Sequence, residues 1–160
     1  RIALNTGTGE FWRPRLYSKD RWIELASRLK ERDFTVVLVG GPSEDEDNQD
    51  IAKESGSEYF GVFSYRDFIG LLSLFDVIVT SVSFAFHVGV GLKKQLVLLN
   101  NVFNKREFYM YGNGVILEPD LPCVMCYKND FDSACLAVNC MDLITPETIE
   151  REVLRLICDD

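Results

Sequence analysis

The sequence predicts an α/β domain, a doubly wound parallel sheet with helices on both faces. Three observations carry that expectation. Strand-type runs alternate with helix-type runs along most of the chain. The strand runs Thr35–Val39 and Gln95–Leu99 are nearly all apolar and lack period-two alternation, as expected of strands buried on both faces. The helix-type runs carry apolar residues three and four apart.

The elements follow in order. Arg1–Asn5 reads as the first strand. Ser18–Arg32 reads as a helix capped by Ser18, with Trp22, Leu25, Ala26 and Leu29 on its inner stripe. Thr35–Val39 is the second strand and ends in Gly40-Gly41-Pro42. A helix covers about Asp45–Ser55, and a short strand lies near Glu58–Gly61. Ser64 caps a helix running to about Leu74, with Phe68, Leu71, Leu72 and Phe75 inward. Val77–Thr80 is a strand, Ser83–Gly91 a helix, Gln95–Leu99 a buried strand and Val115–Leu117 an edge strand. Thr145-Pro146-Glu147 opens the last helix, with Thr as cap and Pro at the first helical position. That helix runs to about Ile157, and Cys158 reads as a core thiol.

The length of 160 residues suits one domain, and a hydrophobic fraction of 47% supplies a core. No apolar run is long enough to span a bilayer, and the opening residues lack a signal-peptide pattern. The chain begins as a strand without a Met and is expected to be a fragment of a longer protein. A formal net charge of -8 argues against nucleic acid or an anionic membrane as the main partner. The acidic run Glu44–Asp47 and Asp50 suits a solvated first helical turn at the positive end of its dipole.

In such sheets ligands bind beyond the carboxyl ends of the strands. The first such loop, Asn5-Thr6-Gly7-Thr8-Gly9, has glycines that admit phosphate oxygens and hydroxyls that donate to them. An ordinary strand-to-helix turn has the same composition. Arg13 and Arg15 follow; each is a diphosphate clamp or a surface arginine. In the loop Thr80–Ser83, Ser83 is placed to cap the next helix and offer a hydroxyl beside its free amides. His87, the single histidine, falls one turn later and is expected on the same side. A packed or structurally bonded histidine is the alternative, and a metal-ligand role lacks a second ligand at suitable spacing.

Cys123, Cys126, Cys135 and Cys140 form C-x2-C-x8-C-x4-C. Four thiolates that close suit a structural zinc or iron site; free thiols and disulfides are the alternatives.

Taken in order, these segments resemble the C-terminal half of glycosyltransferase family 9, which contains the ADP-heptose:lipopolysaccharide heptosyltransferases. The resemblance runs through Asn5–Gly9, Trp12, Lys19–Leu25, Val36–Pro42, Phe68–Leu74, Val77–Lys94, Pro122–Met141 and Ile144–Glu147. It implies a Rossmann-like half of a GT-B glycosyltransferase. The present half would bind a nucleotide-diphospho-sugar such as ADP-heptose, and an absent N-terminal domain would bind the glycolipid or glycan acceptor and supply the base. It implies a bacterial, cytoplasmic protein, peripheral to the inner membrane, serving lipopolysaccharide or other surface-glycan synthesis. No cofactor is implied for the chemistry itself.

By the same resemblance Thr6, Gly7, Thr8, Gly9 and Arg15 meet the phosphates of the sugar donor, and Glu44 holds the ribose. Phe63, with Ser64 beside it, packs on the adenine. Ser83, Phe84 and His87 fall on the family's Asp-Thr/Ser-Gly-x-x-His motif, which grips diphosphate and sugar. Val82 replaces its aspartate and Phe84 its glycine, and Asn100-Asn101-Val102 stands where Gly-Pro-Thr is usual. These departures leave three readings: a transferase with another sugar, a degenerate domain held by its cysteine cluster for assembly, or a sugar-nucleotide epimerase of the same architecture.

Overall fold

Six strands form, all but the two-residue β3 from short runs rich in Val, Leu and Ile: β1 (Ile2–Asn5), β2 (Val36–Val39), β3 (Glu58–Tyr59), β4 (Val77–Ser81), β5 (Gln95–Leu99) and β6 (Gly114–Leu117). The computed structural model describes residues 1–8, 15–126 and 139–158. Its helices are α1 (Lys19–Lys30), α2 (Asp45–Ser55), α3 (Tyr65–Leu72), α4 (Phe84–Gly91) and α5 (Pro146–Cys158). All strand pairs are parallel, in the order β3-β2-β1-β4-β5-β6. The expected doubly wound sheet is therefore present. Its order reverses between β1 and β4, and a crevice opens there at the carboxyl ends.

Side chains alternate along each strand, and both faces are covered. Ile2, Leu4, Val36, Leu38, Val77 and Val79 join Leu25 and Leu29 of α1, Ile51 of α2 and Ile149 and Val153 of α5. Ala3, Val37, Ile78, Leu96 and Leu98 join Phe68 and Leu72 of α3 and Ala85 and Phe86 of α4 on the other side. The four inward positions expected of α1 are all buried, as are Phe68, Leu72 and Phe75, with Leu71 only partly so. Gly89 lets α4 lie close to the sheet, since a Cβ there would stand 2.7 Å from Leu96 Cδ2.

α1 and α5 are tied together by charge. Glu150 is 5% exposed and accepts from Arg28 Nε at 2.8 Å and Arg32 Nε at 3.0 Å. Tyr17 donates to the Ile144 carbonyl at 2.7 Å and packs edge-on against Trp22.

Several local expectations change. Ser18 stands at the α1 cap position, but its hydroxyl makes no capping bond; its amide donates to Asp142 Oδ1 at 2.9 Å. α3 ends at Leu72, and β3 is two residues long. Cys158 is exposed rather than in the core. The inward stripe of α5 is Ile149, Val153 and Leu156, and a residue two beyond Leu156 points to the opposite side. Among the described residues no helix is long and apolar enough to cross a membrane.

Candidate functional site

Parallel pairing sets Asn5, the last residue of β1, beside Val39 of β2 and Thr80 of β4. A polar residue at the end of a buried strand must find partners. The Asn5 amide donates to the Gly7 carbonyl at 2.9 Å, Thr80 Oγ1 at 3.0 Å and Ser83 Oγ at 3.2 Å. It thereby ties the loop after β1 to the loop after β4. Above it lies a cavity of about 440 Å³, within the usual size range of small-molecule sites. Its wall is made by the loops after β1 and β2 and by the starts of α3 and α4.

The β2 side is built around Glu44. The chain leaves β2 through Gly40-Gly41 into a single 3-10 turn, Pro42–Glu44. Glu44 Oε2 accepts from the Gly41 amide at 2.8 Å, and Oε1 accepts from Ser43 Oγ at 2.6 Å. The carboxylate packs so closely over two glycines that a Cβ on Gly7 would stand 2.6 Å from Oε2, and one on Gly40 3.0 Å from Glu44 Cβ. Behind this turn, Thr6 Oγ1 donates to Asn48 Oδ1 at 2.7 Å. Tyr59 donates to Asp45 Oδ1 at 2.6 Å, and burial, reinforced by Asp45, pushes its phenol up to about 12.

The opposite wall is aromatic. Phe63 precedes Ser64, whose hydroxyl caps α3 by accepting from the Asp67 amide at 3.3 Å. Tyr65 and Phe84 are the first residues of α3 and α4. Their rings meet edge-on at 5.5 Å, and Phe68 lies 6.2 Å from Phe84.

The residues expected from sequence divide into three groups. Gly7, Thr8, Glu44, Phe63, Ser64, Ser83 and Phe84 share the cavity wall. Thr8 is 6% exposed, and its Oγ1 has no hydrogen-bond partner among the described residues. Thr6, Arg15 and His87 are not on that wall. Thr6 spends its hydroxyl on Asn48. Arg15 is 6% exposed and donates to the carbonyls of Val82 and Thr8, each at 2.6 Å, while its guanidinium lies 5.3 Å from the Phe103 ring centre. Burial lowers its pKa to about 10. Gly9, and with it Trp12 and Arg13, lies outside the described residues.

Ser83 is the N-cap of α4, with extended φ -158° and ψ 177°, and its carbonyl accepts from the His87 amide at 3.5 Å, so the two residues bracket the first helical turn. Its hydroxyl turns to Asn5 and to Thr80 Oγ1 at 2.9 Å rather than capping α4. His87 is exposed and lies edge-on to Phe86.

The reading of sequence missed Asn5 as the hub and Tyr65 as a wall residue. A lone amide ending an apolar strand was the signal for Asn5. An aromatic placed directly after a helix cap, where nothing in the core needs it, was the signal for Tyr65.

Of the cysteines, Cys123 is exposed, and Cys126 and Cys140 are half-buried; Cys135 lies outside the described residues. Asn101 donates to Cys140 Sγ at 3.2 Å. Among the described residues no three His, Cys, Asp or Glu side chains gather to hold a metal ion. The three described thiols do not make a metal site by themselves.

No family model and no curated protein matches the chain. Solved structures do. Escherichia coli ADP-heptose LPS heptosyltransferase II superposes with TM-score 0.75 at 20% identity over 99% of this chain and 46% of its own. E. coli heptosyltransferase WaaC with ADP gives 0.76 at 14% identity over 97% of this chain and 43% of its own. A glycosyl transferase family 9 structure from Veillonella parvula gives 0.73 at 17% identity over 99% of this chain and 46% of its own. The chain thus has the fold of one part of these GT-B glycosyltransferases and spans less than half the length of each.

Proposed function

We propose that this chain is the sugar-donor-binding half of a glycosyltransferase, and that its ligand is a nucleotide-diphospho-sugar resembling ADP-heptose. One observation carries the reading: the Glu44 carboxylate is held over Gly7 and Gly40 in the switch-point cavity that Phe63 also lines. A fixed carboxylate accepts hydrogen bonds from a ribose diol, and an aromatic ring in the same cavity covers a base. The solved heptosyltransferase with ADP, whose fold this chain shares, supports a nucleotide as ligand. The Thr8 hydroxyl, without a partner among the described residues, gives the ligand one further hydrogen bond.

The transfer itself moves a sugar from the diphosphate to an acceptor hydroxyl. Its base and acceptor site, and any lipopolysaccharide or membrane-surface role, belong to the longer protein in this reading. Cys123, Cys126, Cys135 and Cys140 are proposed as a structural zinc or iron site, which metal analysis of wild type and Cys123→Ser protein tests.

Titration calorimetry with ADP and ADP-sugars tests the main proposal. Saturable binding that Glu44→Ala weakens about tenfold is expected. Absence of binding to either ligand class defeats it.

One observation favours a second reading, a domain without catalytic function. Arg15 and His87, the two side chains expected at the diphosphate, are off the cavity wall. Under that reading His87→Ala leaves the activity of the full-length protein unchanged.

A further inference from the structure

The cavity wall is unevenly charged. Among the described residues that line it, Glu44 is the single carboxylate side chain, and no Lys, Arg or His is present. Arg15 lies behind the wall with both terminal nitrogens on backbone carbonyls. Among the described residues, an anion entering the cavity meets the Glu44 carboxylate and no facing cation.

The other end of the wall is apolar and open. Tyr65 is 80% exposed and Phe84 47% exposed. They come from the first turns of two separate helices, yet their rings meet at 5.5 Å and 75°. Phe68, 9% exposed, supports Phe84 from the core side with a ring tilt of 30°. An edge-on pair of this kind leaves ring faces uncovered. Large aromatic surfaces gathered at the rim of a cavity mark a place where a ligand completes the burial. A flat, uncharged, π-faced group fits this end. A carboxylate-lined turn across the cavity fits the hydroxyls attached to such a group.

We propose that Tyr65 and Phe84 form a stacking platform that makes the uncharged nucleoside the recognised part of the ligand, with the diphosphate adding nothing to affinity. The inference rests on the reading of this site as a nucleotide site and says which part of the nucleotide is held. Phe84 is then a specificity residue: its ring occupies the start of α4, where a residue without a side chain would leave amides open to an anion.

The experiment titrates the 160-residue chain with the four ribonucleosides and their diphosphates, at about 20 and about 300 mM salt. The best nucleoside and its diphosphate are expected to bind within about threefold of each other, with no loss of diphosphate affinity as salt rises. Tyr65→Ala and Phe84→Ala should each weaken both ligands by about tenfold, a stacking-sized effect. Tyr65→Phe should keep wild-type binding, because the ring and not the hydroxyl is used. Both alanine changes are at exposed positions, and unchanged melting temperatures confirm folding. A diphosphate bound more than about tenfold tighter than its nucleoside, with affinity falling as salt rises, overturns the inference while leaving the nucleotide reading intact. Alanine variants that fold and bind as wild type overturn it likewise. No binding by any of the ligands overturns both.

Discussion

The carboxylate of Glu44 occupies the space that a side chain on Gly7 would need: a Cβ there would lie 2.6 Å from Oε2 and 2.8 Å from Cδ. Two residues 37 positions apart by number, Gly7 and Glu44, are thus matched in size across β1 and β2. Gly7→Ala should displace the carboxylate, which is the movable end of a side chain, at a stability cost of only about 1 kcal/mol. Ligand binding should fall much more, about tenfold. In the Gly7→Ala/Glu44→Ala double variant the stability cost should vanish while binding stays low. Thermal melts and calorimetry on the three variants check this.

Arg15 predicts a structural loss. Its two charge-assisted bonds hold the Thr8 carbonyl before one loop and the Val82 carbonyl before α4. Arg15→Met keeps the apolar stem and removes both bonds, which should cost about 2–4 kcal/mol in denaturant unfolding. Arg15→Lys, a single point donor, should recover less than half of that.

Tyr59 predicts a pH dependence. Its pKa is raised from 10.0 to about 12, first by burial and then by Asp45. The folded state therefore holds the phenolic proton more tightly than the unfolded state. The associated stability is complete below pH 10 and is lost as pH rises towards 12. An alkaline titration read by phenolate absorbance should show a late component near pH 12 that Tyr59→Phe removes. A wild-type titration without that component is the contrary result.

Glu150 predicts the strength of the α1–α5 seam. The carboxylate is buried, but Arg28 and Arg32 reach it from partly exposed positions, with side chains 33% and 58% exposed. Solvent moderates such pairs. Glu150→Ala should cost about 1–2 kcal/mol, and Glu150→Gln, which keeps the volume and one acceptor, less. Chemical unfolding at low and high salt separates the packing part from the charge part.

Much of the architecture was legible because it is written locally. Thr35–Val39 and Gln95–Leu99 lack alternation, and the structure buries β2 and β5 on both faces. The stripe Trp22, Leu25, Ala26, Leu29 announced the buried face of α1. Thr145 and Pro146 announced the start of α5, whose Thr148 amide donates to Thr145 Oγ1 at 3.3 Å. The placement of the cavity in the loops after β1, β2 and β4 followed from the fold class alone.

What local pattern did not contain was the direction of the polar side chains. Spacing set Ser83 and His87 one turn apart, but it did not show that the Ser83 hydroxyl turns to Asn5 and Thr80 while His87 stays exposed and off the cavity wall. Arg15 read as a phosphate contact, yet burial placed its guanidinium against two carbonyls that no neighbouring residue would have revealed. Cys158 read as core because cysteine is commonly buried, and two residues of helix rotation past Leu156 placed it outside.

The sequence by itself determined the element order, the parallel sheet and the faces that are buried, because periodicity and capping act over a few residues. Only the tertiary structure decided which polar groups meet. It matched Glu44 to Gly7, committed Arg15 to the backbone, and set Tyr65 against Phe84, because hydrogen bonding and close packing in the crevice depend on loops brought together from distant parts of the chain.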